Sequence, residues 1–286
     1  MSWFKEYKNS LKMIEVEEVL DLIFYRPLAF LFVKAIYPTN LTPNQISFIA
    51  LAVGVIGGML FSYGTHTASV AAAIMLILYD VLDCSDGQLA RMKKNGTLTG
   101  RIVDGFSDYI VTIVAYIGIG FGLMHIWENT LFVWLLTAGA GISNAIHSIM
   151  LDYYRNMFMD NVLQRQSTLG ESLQEFEQEY QKLKAKNSFS IELMLVWLYL
   201  RYSSIQIKFA PDSTRLYDAK LYYNNNKRIL HLWTYIGPTT ELTFMIVCAF
   251  FNRMDIYLWG IITLGNLYAL LLYLMQTRIN HTLKVV

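Results

Sequence analysis

Six mainly apolar runs, each close to the roughly 20 residues a helix needs to cross the hydrocarbon core of a bilayer, recur at about 45–64, 69–90, 98–124, 130–150, 229–251 and 256–277. A chain patterned this way is expected to fold in lipid. Of its 286 residues 55% are hydrophobic and only 16% charged, against about 25% charged in an ordinary soluble domain, and the mean hydropathy is +0.35. That apolar content excludes disorder, and 17 Gly, 5 Pro and two Cys exclude a collagen-like or disulfide-stapled scaffold. Cys84 and Cys248, far apart and at no metal-like spacing, read as free thiols in apolar packing. A net charge of +1, with no Lys/Arg cluster interleaved with aromatics, argues against a nucleic-acid partner. The N-terminus mixes acids with bases and has no short apolar core before a small-residue cleavage site, so Met1 is expected to be retained.

The expected fold class is an all-α integral membrane protein, a six-transmembrane-helix bundle with an N-terminal interfacial amphipathic helix and a cytoplasmic helical insertion. Four regions follow: 1–40 at the N-terminus, 41–151 with spans one to four, 152–228 as the insertion, and 229–286 with spans five and six and the tail. Over 13–36, Ile14, Leu20, Phe24, Leu28, Leu31 and Ala35 recur at helical steps, with Glu15, Glu17, Glu18 and Asp21 among them. Thr42 is placed to cap span one, with Pro43 at the first helical position, where its missing N–H costs nothing. The insertion carries a stripe of Leu173, Phe176, Tyr180 and Leu183. It also holds a run at 191–200 too short to cross, read as re-entrant or interfacial. The connections at 65–68, 125–129 and 252–255 hold one cation, Arg253, of the 23 Lys and Arg. The positive-inside bias therefore puts both termini, and the loop after span two, in the cytoplasm.

The chemistry concentrates in residues 80–111. Asp83 and Asp86 share one helix face, as do Asp104 and Asp108, and the two helices join through a turn at about 92–97. Four carboxylates beside lipid cannot all stay ionised unless a cation compensates them. Oxygen-only ligation favours Mg²⁺ or Mn²⁺, and Mg²⁺ commonly shares its shell with substrate phosphates. A phosphorylated substrate is the consequence. Gly87, Ala90 and Gly100 remove side-chain bulk along the same stretch, which suits either close helix packing or close approach of a ligand. Arg91 suits either a phosphate or an acid that it fixes in place. Lys93 and Lys94 read equally as positive-inside anchors. Cys84, a soft ligand among hard ones, reads as packing.

From Asp83 to Asp108 the chain carries D-x2-D-G-x2-A-R-x8-G-x3-D-x3-D without gap or departure, and in this it resembles the CDP-alcohol phosphotransferases. Eight specified positions would align by chance at any one start with a probability on the order of 10⁻⁹. The TPNQIS segment before span one resembles the family's N-terminal pattern, and the likeness covers about 26–150, with the last two spans in outline. The insertion at 152–228 is not matched to that pattern. The resemblance implies a CDP-linked donor cleaved between its two phosphates, CMP as leaving group, and an alcohol acceptor joined through a phosphodiester. It further implies two divalent ions held by Asp83, Asp86, Asp104 and Asp108, with Asp108 as general base and the nucleotide near Asp83, Gly87, Ala90, Arg91, Gly100 and Asn44. It suggests a homodimer.

Other polar residues stay secondary. Asp80, one turn before Asp83, lies outside the signature. Asn144, His147 and Arg155 are candidates for an acceptor pocket, with helix–helix hydrogen bonding as the plainer role for the first two. Glu241 is an intramembrane acid whose expected partner is Arg228 or Arg155. Asn44 suits either the nucleotide or the helix cap. His66, His125 and His281 lie away from the chemistry. The expected donor is CDP-diacylglycerol, with transfer from CDP-choline or CDP-ethanolamine to diacylglycerol as the alternative. A Mg²⁺-dependent prenyltransferase and an acidic cation channel are more distant ones.

Overall fold

The computed structural model describes residues 6–7, 10–11, 14–96, 98–164, 168–185, 193–194, 196–197, 199–201 and 217–282. Of these, the side chains of 98–99, 101–104, 168–175 and 282 lie outside the description. Every regular element among the described residues is helical. A 3-10 turn at Ile14–Val16 and a π-helical segment at Asp21–Tyr25 lead into α1 (Arg26–Ile36). Pro27 accounts for the π segment, because it has no N–H to give the turn before it and its ring crowds the carbonyl four residues back. The N-terminal helix is therefore shorter and less regular than the expected 13–36.

Helix α2 (Pro43–Leu60) begins where the sequence places it. Gln45 N donates to Thr42 Oγ1 at 3.3 Å and Thr42 N donates to Gln45 Oε1 at 3.0 Å, a reciprocal capping box. A 3-10 turn and Gly64, at φ +64°, turn the chain into α3 (His66–Lys93). Then come α4 (Leu98–Met124), α5 (Thr130–Val162), α6 (Thr168–Ala185) and α7 (Ala219–Trp233). Helices α8 (Pro238–Phe250) and α9 (Met254–Gly260) follow, and a π segment joins α9 to α10 (Asn266–Thr282).

Among the described residues, five helical stretches are long and apolar enough to cross a membrane: Pro43–Tyr63, His66–Lys93, Gly105–Met124, Thr130–Val162 and Met254–His281. The run at 229–251 is not a continuous helix. A 3-10 turn at Thr234–Ile236, extended backbone at Gly237 and Pro238 at the first helical position split it. The 13 residues of α8 reach only about 20 Å at 1.5 Å per residue, short of the roughly 30 Å hydrocarbon core. Around the bundle an outer belt is apolar and exposed, as lipid-facing surface must be: Ile113, Ile117 and Phe121 on α4, Leu135 and Ile142 on α5, Leu267, Leu271 and Leu274 on α10. The chain is an integral membrane protein.

Two clusters fill the interior. One joins α2, α3, α4, α5, α8 and α9 through Ile46, Leu76, Ile119, Ala140, Ala249 and Leu258, and the other joins α5, α7 and α10 through Phe158, Tyr222, Trp233 and Leu272. Helix α5 runs past the expected boundary at 151 and α7 starts before the one at 229. Asn161 accepts from Tyr217 N at 2.7 Å, which ties the two ends of the insertion together. Phe176 is buried against Tyr199, while much of the 191–200 run lies outside the described residues.

Helix α2 packs against both α3 and α4, and glycines set its distance. A Cβ on Gly54 would come within 2.6 Å of Val111 and 2.9 Å of Tyr79. One on Gly58 would come within 2.8 Å of Ala115 N, and one on Gly118 would collide with the Gly58 carbonyl. Backbone contact of this kind replaces the hydrophobic drive that lipid does not supply between helices. Gly118→Val should lower stability by on the order of 1–3 kcal/mol, read as a lower unfolding midpoint in detergent. Gly105→Ala, where a Cβ meets nothing within 4 Å, should leave that midpoint unchanged or slightly raised.

Candidate active site

Helix α3 carries Asp83 and Asp86 near its C-terminal end, and α4 carries Asp108 in its first half. Asp86 is buried and accepts a hydrogen bond from Ser47 in the second turn of α2. Asp108 is exposed and accepts from the phenol of Tyr79, a buried residue one turn before Asp83. The bond from Tyr79 ties α3 to α4. Asp83 is half-buried. The backbone of Asp104 belongs to α4, and its side chain lies outside the described residues.

Ser47 and Tyr79 each give one of these carboxylates a neutral hydroxyl donor, which fixes its direction without adding positive charge. Oxygen donors offered from two helices fit a hard divalent ion. Neither Ser47 nor Tyr79 stands out in the sequence. Tyr79 lies four residues before Asp83, on the same face, and Ser47 follows the Pro43 start by one turn; those spacings were the only signals.

The remaining signature residues cluster around α3. Arg91 lies back over Gly87, where a Cβ would meet its guanidinium at 3.3 Å, and its Nε donates to the carbonyl of Ser10 at 2.5 Å. The contact shown for Arg91 is thus to the N-terminal segment, where the sequence suggested phosphate or an acid. Ala90 and Gly100 are half-buried, and Ala90 faces Gly96. Asn44 is half-buried in the first turn of α2, whose cap is made by Thr42 and Gln45 rather than by Asn44. Lys93 donates to the carbonyls of Thr39 at 2.9 Å and Leu41 at 3.0 Å, holding the end of α3 to the loop before α2.

Of the four N-terminal acids at 15–21, Glu15 is exposed. Glu17, Glu18 and Asp21 are buried. Glu17 pairs with Arg26 at 2.7 Å. Glu18 accepts from Thr240 N at 2.9 Å, Thr239 N at 3.4 Å and Thr240 Oγ1 at 3.0 Å, and so caps α8, which has no capping side chain of its own. Its carboxyl fills the space a Cβ at Gly237 would need. Arg155 lies 4.0 Å from Glu18 and 3.3 Å from Asp152.

Glu241 pairs with neither Arg228 nor Arg155. It accepts from Asn144 Nδ2, and its Oε1 lies 2.5 Å from His147 Nδ1. His147 Nε2 meets Asn266 Oδ1 at 3.0 Å, and Asn266 Nδ2 donates to Ser143 at 2.9 Å. His147 thus faces an oxygen on each side of its ring. This network joins α5, α8 and α10.

The model of the CDP-alcohol phosphatidyltransferase family matches residues 40–209, which includes α2, α3, α4, α5 and α6 and so runs well into the insertion that the sequence left unmatched. The chain belongs to that family. It is accordingly an enzyme that transfers substituted phosphate groups in phospholipid biosynthesis, within a family that depends on divalent metal. A search among curated proteins finds no match.

Two outcomes follow. Burial, reinforced by the negative charge of Asp21, pushes the Glu18 carboxyl up from 4.5 to about 8. The folded state then holds a proton that the unfolded segment releases. This contribution is full below about pH 4.5 and is lost as pH rises through about 8. The difference in unfolding midpoint between wild type and Glu18→Gln should show that decline. Separately, His147→Ala removes one of the two side-chain partners of buried Glu241 and the contact on Asn266 Oδ1, at a cost on the order of 3 kcal/mol in detergent unfolding.

Proposed function

We propose that this enzyme transfers a phosphatidyl group from CDP-diacylglycerol to the hydroxyl of a polar alcohol. The bond broken joins the lipid-bearing phosphorus to the oxygen bridging the two phosphates, and CMP leaves. The bond formed joins that phosphorus to the acceptor oxygen, whose proton passes to Asp108. Asp83, Asp86, Asp104 and Asp108 would hold two divalent ions, Mg²⁺ or Mn²⁺, which supply charge neutralisation on the diphosphate. The nucleotide lies along Asp83, Gly87, Ala90, Arg91, Gly100 and Asn44, and Asn144, His147 and Arg155 border the acceptor side.

The observation that carries this reading is the pair of hydroxyls, Ser47 and Tyr79, each holding one signature carboxylate from a neighbouring helix. Preorganised acceptors cost no rearrangement as charge develops. The exposed position of Asp108, beside the apolar outer face of α4 made by Ile113 and Ile117, suits a base that meets an incoming hydroxyl while acyl chains stay in lipid. Positive-inside bias puts this end of α3 and both termini in the cytoplasm. The N-terminal helix lies at that interface, α8 with the turn before it completes a sixth crossing, and the working unit is a homodimer.

Purified enzyme should release CMP from CDP-diacylglycerol when a polar alcohol is supplied. Release only from CDP-choline or CDP-ethanolamine with diacylglycerol would reverse donor and acceptor, and product from a prenyl diphosphate would remove the reading. Asp86→Asn and Asp108→Asn should each cost on the order of 10²–10³ in turnover. Ser47→Ala and Tyr79→Phe, which remove only the supporting donor, should cost about 10–100-fold.

A further inference from the structure

We propose that Asp21, Asp80 and Cys84 form a second divalent-cation site, separate from the signature aspartates and suited to a sulfur-tolerant ion such as Zn²⁺. Each offers one ligand atom, and the three atoms lie within 4.8 Å of one another. Cys84 Sγ is 3.7 Å from Asp21 Oδ1. A tetrahedral zinc shell, with Zn–S about 2.3 Å and Zn–O about 2.0 Å, has an S–O edge of about 3.5 Å. The thiol and the carboxylate are already at ligand spacing.

A second observation is independent of that proximity. Asp80 is 6% exposed, and its Oδ2 is buried without a hydrogen-bond partner. A buried carboxylate oxygen with no donor requires a cation or a proton. The nearby arginines contact other carboxylates: Arg26 holds Glu17 at 2.7 Å and stands 3.9 Å from Asp21, while Arg155 stands 4.0 Å from Glu18. Among the described residues, then, four buried carboxylates (Glu17, Glu18, Asp21 and Asp80) lie among three guanidinium groups (Arg26, Arg91 and Arg155), none of which forms an ion pair with Asp80.

The site uses a different stripe of α3 from the signature pair. Asp80, Cys84, Gly87 and Arg91 recur at four-, three- and four-residue steps, one helix face. Cys84 and Arg91, on that stripe, contact Asp21 and Ser10 of the N-terminal segment. Asp86 turns instead toward Ser47 on α2. Two oxygens and a thiolate select a softer ion than the oxygen-only set does. An ion here clips the N-terminal segment, and with it the Glu18 cap of α8, onto α3. This assignment is independent of which substrates the enzyme uses.

Cobalt distinguishes the two sites, because only this one supplies sulfur. Full-length protein in detergent, stripped with chelator and titrated with Co²⁺, should develop the near-ultraviolet thiolate-to-cobalt band. Cys84→Ser should abolish the band, Cys248→Ser should leave it, and Asp80→Asn should weaken cobalt binding at least tenfold. Zn²⁺, but not Mg²⁺, should slow maleimide labelling of Cys84 in the Cys248→Ser protein. A wild-type protein that shows no thiolate band, with labelling indifferent to Zn²⁺, would overturn the site and leave a proton as what neutralises Asp80. Should Cys84→Ser or Cys248→Ser fail to fold, the wild-type spectrum alone decides.

Discussion

A carboxylate inside an apolar bundle must be given a donor or a cation, and the interior of this enzyme is organised around that requirement. Asp86 has Ser47, Asp108 has Tyr79, Glu241 has Asn144 and His147, and Glu18 has the open N-terminus of α8. Each bond crosses from one helix or segment to another. The polar groups that chemistry and lipid set at odds therefore also determine which helices stay together.

Close packing makes those crossings possible. Hydroxyl and carboxylate groups reach each other only if helix axes approach closely, and Gly54, Gly58 and Gly118 remove the side chains that would hold α2 away from α3 and α4. Ser47 lies on the same α2, two turns before Gly54, so the contact that brings the helices together also brings the hydroxyl to Asp86. Packing and site geometry rest on one set of backbone contacts.

The N-terminal segment belongs to this interior. Its periodicity suggested an interfacial helix lying along the membrane, and Glu17, Glu18 and Asp21 turn inward against Arg26, α8 and Cys84. Periodicity reports which residues share a face and is silent on what covers that face. The break at Gly237–Pro238 explains the inward turn: a helix starting inside the protein leaves backbone N–H groups open, and Glu18 is the residue that reaches them. An apolar count over 229–251 averages across the break, so six runs in the sequence become five continuous crossing helices.

That Asp83 and Asp86 fall on one helix and Asp104 and Asp108 on the next was legible from spacing, because a helix repeats every 3.6 residues. The all-helical membrane class, the start of α2 at Thr42 and Pro43, and the family were legible too, since length, hydropathy and local capping chemistry are properties of neighbouring residues. Tertiary structure alone decided which hydroxyls hold the aspartates, that Glu241 meets His147 rather than an arginine, and that Asp21 lies beside Asp80 and Cys84. Those pairs are separated by 39, 94 and about 60 positions. No local periodicity carries information over such distances; the path of the chain through the bundle supplies it.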